Sequence, residues 1–130
     1  MRLEKTYMAI KSFFFDSYAL YEIVIGGDNY LKYRGCNIIL TKLNLFEVYH
    51  SLIKQGHESL AEIFLDLYSI YVIDFDNEVI KESARFKIEN KKKYLSMTDC
   101  ICYVISKKLS IRFLTGDKEF ENLANVEFVK

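Results

Sequence analysis

Along this chain short apolar runs alternate with longer stretches in which apolar residues return every three or four positions. Residues 11–16 form a compact run closing in Phe13-Phe14-Phe15-Asp16, which predicts a buried strand. Residues 17–25 are ambiguous: their β-branched content favours a strand, while the Gly26-Gly27 stop suits a helix C-terminus. Residues 28–35 read as a short polar and aromatic helix and residues 37–40 as a brief strand. In residues 42–55 Leu45, Tyr49, Leu52 and Ile53 keep helical spacing, and Gly56 ends the helix. A second helix follows, with Leu60, Ala61, Phe64, Leu67 and Tyr68 on one face. Residues 70–75 predict a strand and Asp76 the N-cap of a helix marked by Val79, Ile80, Ala84 and Ile88. Residues 101–105 are apolar all round, so their helix is expected to be deeply buried. A strand over 111–114, a short helix over 118–123 and a last strand over 126–129 complete the pattern.

Strands that alternate with helices, without hairpin signals, predict an α/β fold. The expected architecture is a three-layer sandwich, with a mainly parallel central sheet flanked by helices. In such sheets ligands collect at the carboxyl ends of the strands. Asp16 and Asp117 fall there. No repeat, low-complexity stretch or linker divides the chain, and the absence of Pro removes the usual boundary marks. One domain over residues 1–130 is expected, with residues 1–7 as a short extension.

Charge and composition narrow the function classes. Lys+Arg of 18 balances Asp+Glu of 18, so no bulk charge announces a nucleic-acid binder. A polyanion has to be drawn by local patches or by bound metal. A hydrophobic content of 51% excludes disorder, and no apolar run has the length of a membrane span. Residues 1–6 carry charge without a signal-like core, so a cytoplasmic protein is expected.

The candidate chemistry is carried by four acids spread along the chain: Asp16, Glu47, Asp99 and Asp117. Apolar strands that finish in a carboxylate point it at one sheet edge. Several such edges together predict an oxygen-ligand site for Mg²⁺ or Mn²⁺, and with it a phosphodiesterase. Each acid also has a purely structural explanation. Asp16 and Ser17 are both good N-cap types, Asp99 suits the first turn of its helix, and Asp117 suits a turn. Glu47 shares a helical stripe with Asn44, Ser51 and Lys54, which periodicity alone calls solvated.

Other constellations carry less. Cys36, Cys100 and Cys102 lack disulfide or zinc spacing and read as small buried or half-buried thiols. His50 and His57 lack the spacing of a zinc hydrolase helix, and Gly26-Gly27-Asp28 lacks the rest of a phosphate-cradling loop.

Four segments resemble the PIN domain. Phe13-Phe14-Phe15-Asp16-Ser17-Tyr18-Ala19-Leu20 is similar to the opening strand with its first aspartate. Thr41-Lys42-Leu43-Asn44-Leu45-Phe46-Glu47-Val48-Tyr49 resembles the helix with the glutamate. The segment from Leu95 to Ile105, with Thr98-Asp99, resembles the second aspartate and the helix behind it. Phe113-Leu114-Thr115-Gly116-Asp117-Lys118-Glu119-Phe120 is similar to the closing motif. The segments stand in family order from about Met8 onward. Cys100-Ile101-Cys102 departs from the small residues common after the second aspartate, which affects packing more than chemistry.

The resemblance implies that Asp16, Glu47, Asp99 and Asp117 bind one or two Mg²⁺ or Mn²⁺ ions and cleave RNA. Glu119 stands nearest the place where members carry a further acidic or amide ligand. Ser17, Asn44 and Thr115 are supporting hydroxyl and amide groups. It further implies a toxin-like endoribonuclease held by an antitoxin protein, and a homodimer. Lys91, Lys92 and Lys93, with Lys32 and Arg34, are candidate contacts to single-stranded RNA, and Tyr30 and Tyr33 candidate stacking platforms. Two alternatives stand beside this reading. One is a non-catalytic RNA- or protein-binding module of the same fold. The other is a phosphatase of the haloacid-dehalogenase type, suggested by Asp74-Phe75-Asp76, for which the chain is short.

Overall fold

The computed structural model describes residues 10–130, so the expected extension over residues 1–7 lies outside the described residues. Four strands, β1 (Ser12–Phe15), β2 (Asn37–Ile39), β3 (Arg112–Thr115) and β4 (Val126–Phe128), form one sheet in the order β2-β1-β3-β4. All three pairings are parallel. Five helices flank it: α1 (Ser17–Ile25), α2 (Lys42–Lys54), α3 (Glu58–Tyr68), α4 (Asn77–Glu89) and α5 (Met97–Lys108).

Strand β1 shows why the sandwich has three layers. Successive strand residues face opposite sides of a sheet. Phe13 and Phe15 therefore enter a core with α1, α2 and α3, through Leu20, Val48, Leu52 and Phe64. Phe14 enters the other, with α4, α5 and β3, through Val79, Ile101, Tyr103, Phe113 and Phe120. A strand buried on both faces reads as an unbroken apolar run, as here. Helix α5 is buried along most of its length, as its uninterrupted apolar pattern predicts.

The ambiguity over residues 17–25 resolves to helix α1. It starts on Asp16 as N-cap and ends at Gly26, whose φ of 84° is a conformation glycine adopts without a Cβ penalty. The strand expected over residues 70–75 is not formed. Ser69–Tyr71 is a 3₁₀ turn, and only Val72 bridges Leu40 beyond the short edge strand. β2 is three residues long and offers little ladder to extend.

Several residues assigned to core faces lie outside. Leu67, Ile80 and Ile88 are 60%, 50% and 70% exposed. Conversely, Tyr30 and Tyr33 are buried, so they are core residues and not base-stacking platforms. They stand three apart on the 3₁₀ helix Asp28–Tyr33, where such residues share a face, and that face is turned inward.

The chain moves from β1 to β2 on one side and later to β3 on the other. The strand order therefore reverses between β1 and β3, where a crevice opens at the carboxyl ends of the strands.

Candidate metal centre

Three of the four acids stand at this crevice. Asp16 follows β1, and its backbone N–H still donates to Leu114 O at 3.1 Å before the chain turns into α1. Its Oδ1 accepts from Ala19 N–H at 2.8 Å. Asp117 follows β3 and accepts from Glu119 N–H at 3.0 Å. Asp99 lies in the first turn of α5, where it and Ser96 form a reciprocal capping box: Ser96 N–H donates to Asp99 Oδ2 at 2.8 Å, and Asp99 N–H to Ser96 Oγ at 3.0 Å. Each aspartate thus fixes its own backbone with one carboxylate oxygen. All three, with Ser17, Tyr18, Lys118 and Lys130, line a cavity of about 360 Å³.

The electrostatics follow from that crowding. Burial pushes the Asp16 carboxyl from its ordinary 3.8 up to about 8, and repulsion from Asp99 and Asp117 adds to it. The Thr115 hydroxyl and the Ala19 N–H act in the opposite sense. Asp99 is also raised, first by burial and then by repulsion from Asp117 and Glu47. Thr115 joins the two strand ends, because its Oγ1 also accepts the Asp117 N–H at 3.0 Å.

Glu47 reaches the same neighbourhood from α2. The Ser17 hydroxyl donates to Glu47 Oε1 at 2.5 Å and accepts from Asn44 Nδ2 at 3.1 Å. Asn44 is itself buried, its Oδ1 accepting from the Thr41 backbone at 2.9 Å and the Thr41 hydroxyl at 2.8 Å. Asn44 and Glu47, from the stripe that periodicity calls solvated, are therefore packed, polar against polar, on the start of α1, while Lys54 of the same stripe is exposed. Glu47 lines a larger cavity of about 750 Å³ between α1 and α2, which shares Ser17 and Tyr18 with the aspartate cavity.

The other sequence candidates are placed differently. Glu119 is outside the aspartate cavity, and its Oε1 accepts the Tyr94 N–H at 2.8 Å. Lys93 Nζ donates to Glu119 O at 3.3 Å, while Lys91 and Lys92 are exposed on the loop before α5. Lys32 lies over the Tyr33 ring, and Arg34 donates to Ile23 O at 3.0 Å. None of these five cations lines the aspartate cavity. The two that do, Lys118 and Lys130, were not candidates. Lys118 is signalled by its position after Asp117; Lys130 has no sequence signal. Cys100 and Cys102 are buried and Cys36 half-buried.

Asp76 caps α4 by accepting from Val79 N–H at 3.1 Å. With Asp74 it lines a separate cavity that does not include Asp117, which removes the haloacid-dehalogenase alternative.

The donor set fits a divalent cation. One buried and two half-buried carboxylates that repel one another are stabilised by a hard cation, which allows all of them to ionise. Among the described residues no three His, Cys, Asp or Glu side chains already stand arranged around one ion position.

Comparison with known proteins bears on the fold and the family. The PIN domain profile matches residues 14–126. No curated protein sequence matches the chain. Among solved structures, a sarcin-ricin loop cleaving toxin of Mycobacterium tuberculosis, VapC20, superimposes with a TM-score of 0.76 at 14% identity, covering 92% of this chain and 100% of that one. A chain of a toxin-antitoxin complex from Klebsiella pneumoniae gives 0.70 at 18% identity over 89% and 96%. VapBC2 of Rickettsia felis, bound to a DNA fragment of its promoter, gives 0.67 at 15% identity over 91% and 98%. The profile match reaches from Phe14 across Asp16, Glu47, Asp99 and Asp117 to β4, and the chain belongs to the PIN domain family.

Proposed function

We propose that this protein is a divalent-metal-dependent endoribonuclease with Asp16, Glu47, Asp99 and Asp117 as its acidic cluster. The observation that carries the reading is the convergence of Asp16, Asp99 and Asp117 on one cavity at the reversal of strand order. Capping explains each aspartate singly. It does not explain why three caps from β1, β3 and α5 meet where burial and mutual repulsion raise two of them.

Asp16, Asp99 and Asp117 would hold Mg²⁺ or Mn²⁺, which supplies Lewis acidity toward an attacking water and the scissile phosphate. Glu47, held by Ser17 in the adjoining cavity, would supply a further carboxylate. Asn44 fixes Ser17, and Thr115 fixes Asp16 against Asp117. Glu119 acts on this reading by tying the Tyr94 loop beside the site. Lys91, Lys92 and Lys93, with Lys32 and Arg34, are contacts for single-stranded RNA outside the aspartate cavity on this reading.

The toxin-antitoxin setting of the solved relatives supports a toxin role and an antitoxin partner. The groove between α1 and α2, with Phe46 71% exposed at its edge, suits an inserted antitoxin segment. Exposed Ile63, Leu67 and Ile70 along α3 and the following turn suit a homodimer contact. A cytoplasmic site of action is part of this reading; among the described residues no helix is long and apolar enough to cross a membrane.

The test is metal-dependent cleavage of single-stranded RNA lost in Asp16→Asn and Asp99→Asn. RNA binding without cleavage in every metal would favour the non-catalytic module, which the capping roles of the aspartates alone would suit.

A further inference from the structure

An acidic cavity repels the anionic backbone it is meant to cut, and cationic side chains inside it offset that repulsion beside any bound metal. The lysine run at residues 91–93 does not line it. Lys118 and Lys130 do. No described carboxylate lies within salt-bridge distance of either ammonium.

Lys130 is placed by the backbone around it. Val129 N–H donates to Thr115 O at 2.8 Å, extending the β3–β4 pairing past the strand end. The buried Tyr30 donates its hydroxyl to Val129 O at 2.5 Å, and Asn29 Nδ2 donates to Lys130 O at 2.8 Å. Three hydrogen bonds therefore hold residues 129 and 130 beside the carboxyl ends of β1 and β3. The Lys130 side chain crosses Tyr18, with Nζ 5.2 Å from the ring centroid. The ring is held in turn, because it packs so closely on Gly116 that a Cβ there would stand 2.2 Å from Tyr18 Cε1. Tyr18 and Gly116 flank the acids Asp16 and Asp117 in sequence, so the lysine and the carboxylates share one rigid frame.

We infer that Lys130, seconded by Lys118, binds a phosphate of the RNA backbone and seats it against the acidic cluster. The inference rests on the nuclease reading and adds to it a substrate-binding residue outside the four acids. An ammonium held across an aromatic ring and free of carboxylate partners is a ready contact for a phosphate oxygen. Being a backbone contact, it carries no base preference.

The experiment compares wild type, Lys130→Met and Lys130→Arg on labelled single-stranded RNA with Mn²⁺. Met keeps an apolar stem over Tyr18 and removes the charge. Expected is a KM raised about tenfold in Lys130→Met, the scale of one charge-assisted contact, with kcat and Mn²⁺ affinity little changed and most of the loss restored in Lys130→Arg. In an Asp99→Asn background, which separates binding from turnover, Lys130→Met should lower the slope of log affinity against log salt by about 0.7. Unchanged KM and salt slope in a protein whose wild type cleaves would overturn this inference alone. Weakened Mn²⁺ binding at constant KM would also overturn it, since the lysine would then only balance the acids. Wild type that neither cleaves nor binds RNA would overturn the nuclease reading and this inference with it.

Discussion

The Ser17 hydroxyl donates to Glu47 Oε1 at 2.5 Å, across thirty positions of sequence, and so ties the acid of α2 to the residue following Asp16. One small side chain thereby sets the orientation of the fourth carboxylate, and Asn44 sets the orientation of that side chain. Groups that orient a metal centre's ligands typically contribute about ten- to a hundredfold in affinity or activity.

Ser17→Ala is accordingly expected to lower kcat/KM for RNA by roughly ten- to a hundredfold while the fold is retained. Steady-state kinetics beside a thermal melt checks it. Ser17→Thr, which keeps the hydroxyl, should lose much less.

Gly116→Ala tests the frame. A Cβ at residue 116 would meet Tyr18 Cε1 at 2.2 Å and the backbone Val129 O at 2.6 Å. The ring is packed against the glycine and the carbonyl belongs to a paired chain, so both have to move. Overpacking of this kind typically costs about 1–3 kcal/mol. Denaturant titration should show that loss, with RNA cleavage falling further than stability alone accounts for.

Asp16 gives the pH dependence. Its folded-state value of about 8 stands above the ordinary 3.8, so the stability conferred by the neutral form is complete below pH 3.8 and is lost as the pH rises through about 8. In EDTA, Asp16→Asn should therefore gain stability relative to wild type between pH 5 and pH 8.5, as read by paired melts. The sign reverses for metal: the ion needs the carboxylate ionised, so Mn²⁺ affinity rises over the same window and binding near pH 7 releases about one proton. Calorimetry in buffers of different ionisation enthalpy measures that release. Equal enthalpies would contradict it.

A structural acid provides the contrast. Asp76 caps α4 and stands outside the aspartate cavity, so Asp76→Ala should cost about 1 kcal/mol of stability and leave kcat unchanged.

These particulars also show which features the sequence makes legible. Phe13-Phe14-Phe15-Asp16 announces a strand buried on both faces with a carboxylate at its end, because an unbroken apolar run has few other uses. The parallel α/β order and the strand-end placement of Asp16 and Asp117 follow from it. Glu47 was legible only through the family resemblance. Hydrophobic periodicity cannot distinguish a polar face in water from one packed on Ser17. Residues 70–75 misled for the opposite reason: β-branched residues favour strands, yet pairing depends on a neighbour, and β2 ends at Ile39. Tyr30 and Tyr33 looked available because charged residues adjoin them, while the 3₁₀ spacing that turns both inward is a weak local signal. Lys130 could not be read at all, since its place depends on hydrogen bonds from Asn29 and Tyr30, about a hundred residues earlier.

The most direct measurement is cleavage of a labelled single-stranded RNA with Mn²⁺, Mg²⁺ or EDTA, with the Asp99→Asn protein purified identically. The account predicts cleavage by wild type in one or both metals, none in EDTA and none by Asp99→Asn. Cleavage that persists in EDTA, or that Asp99→Asn retains in full, would contradict it.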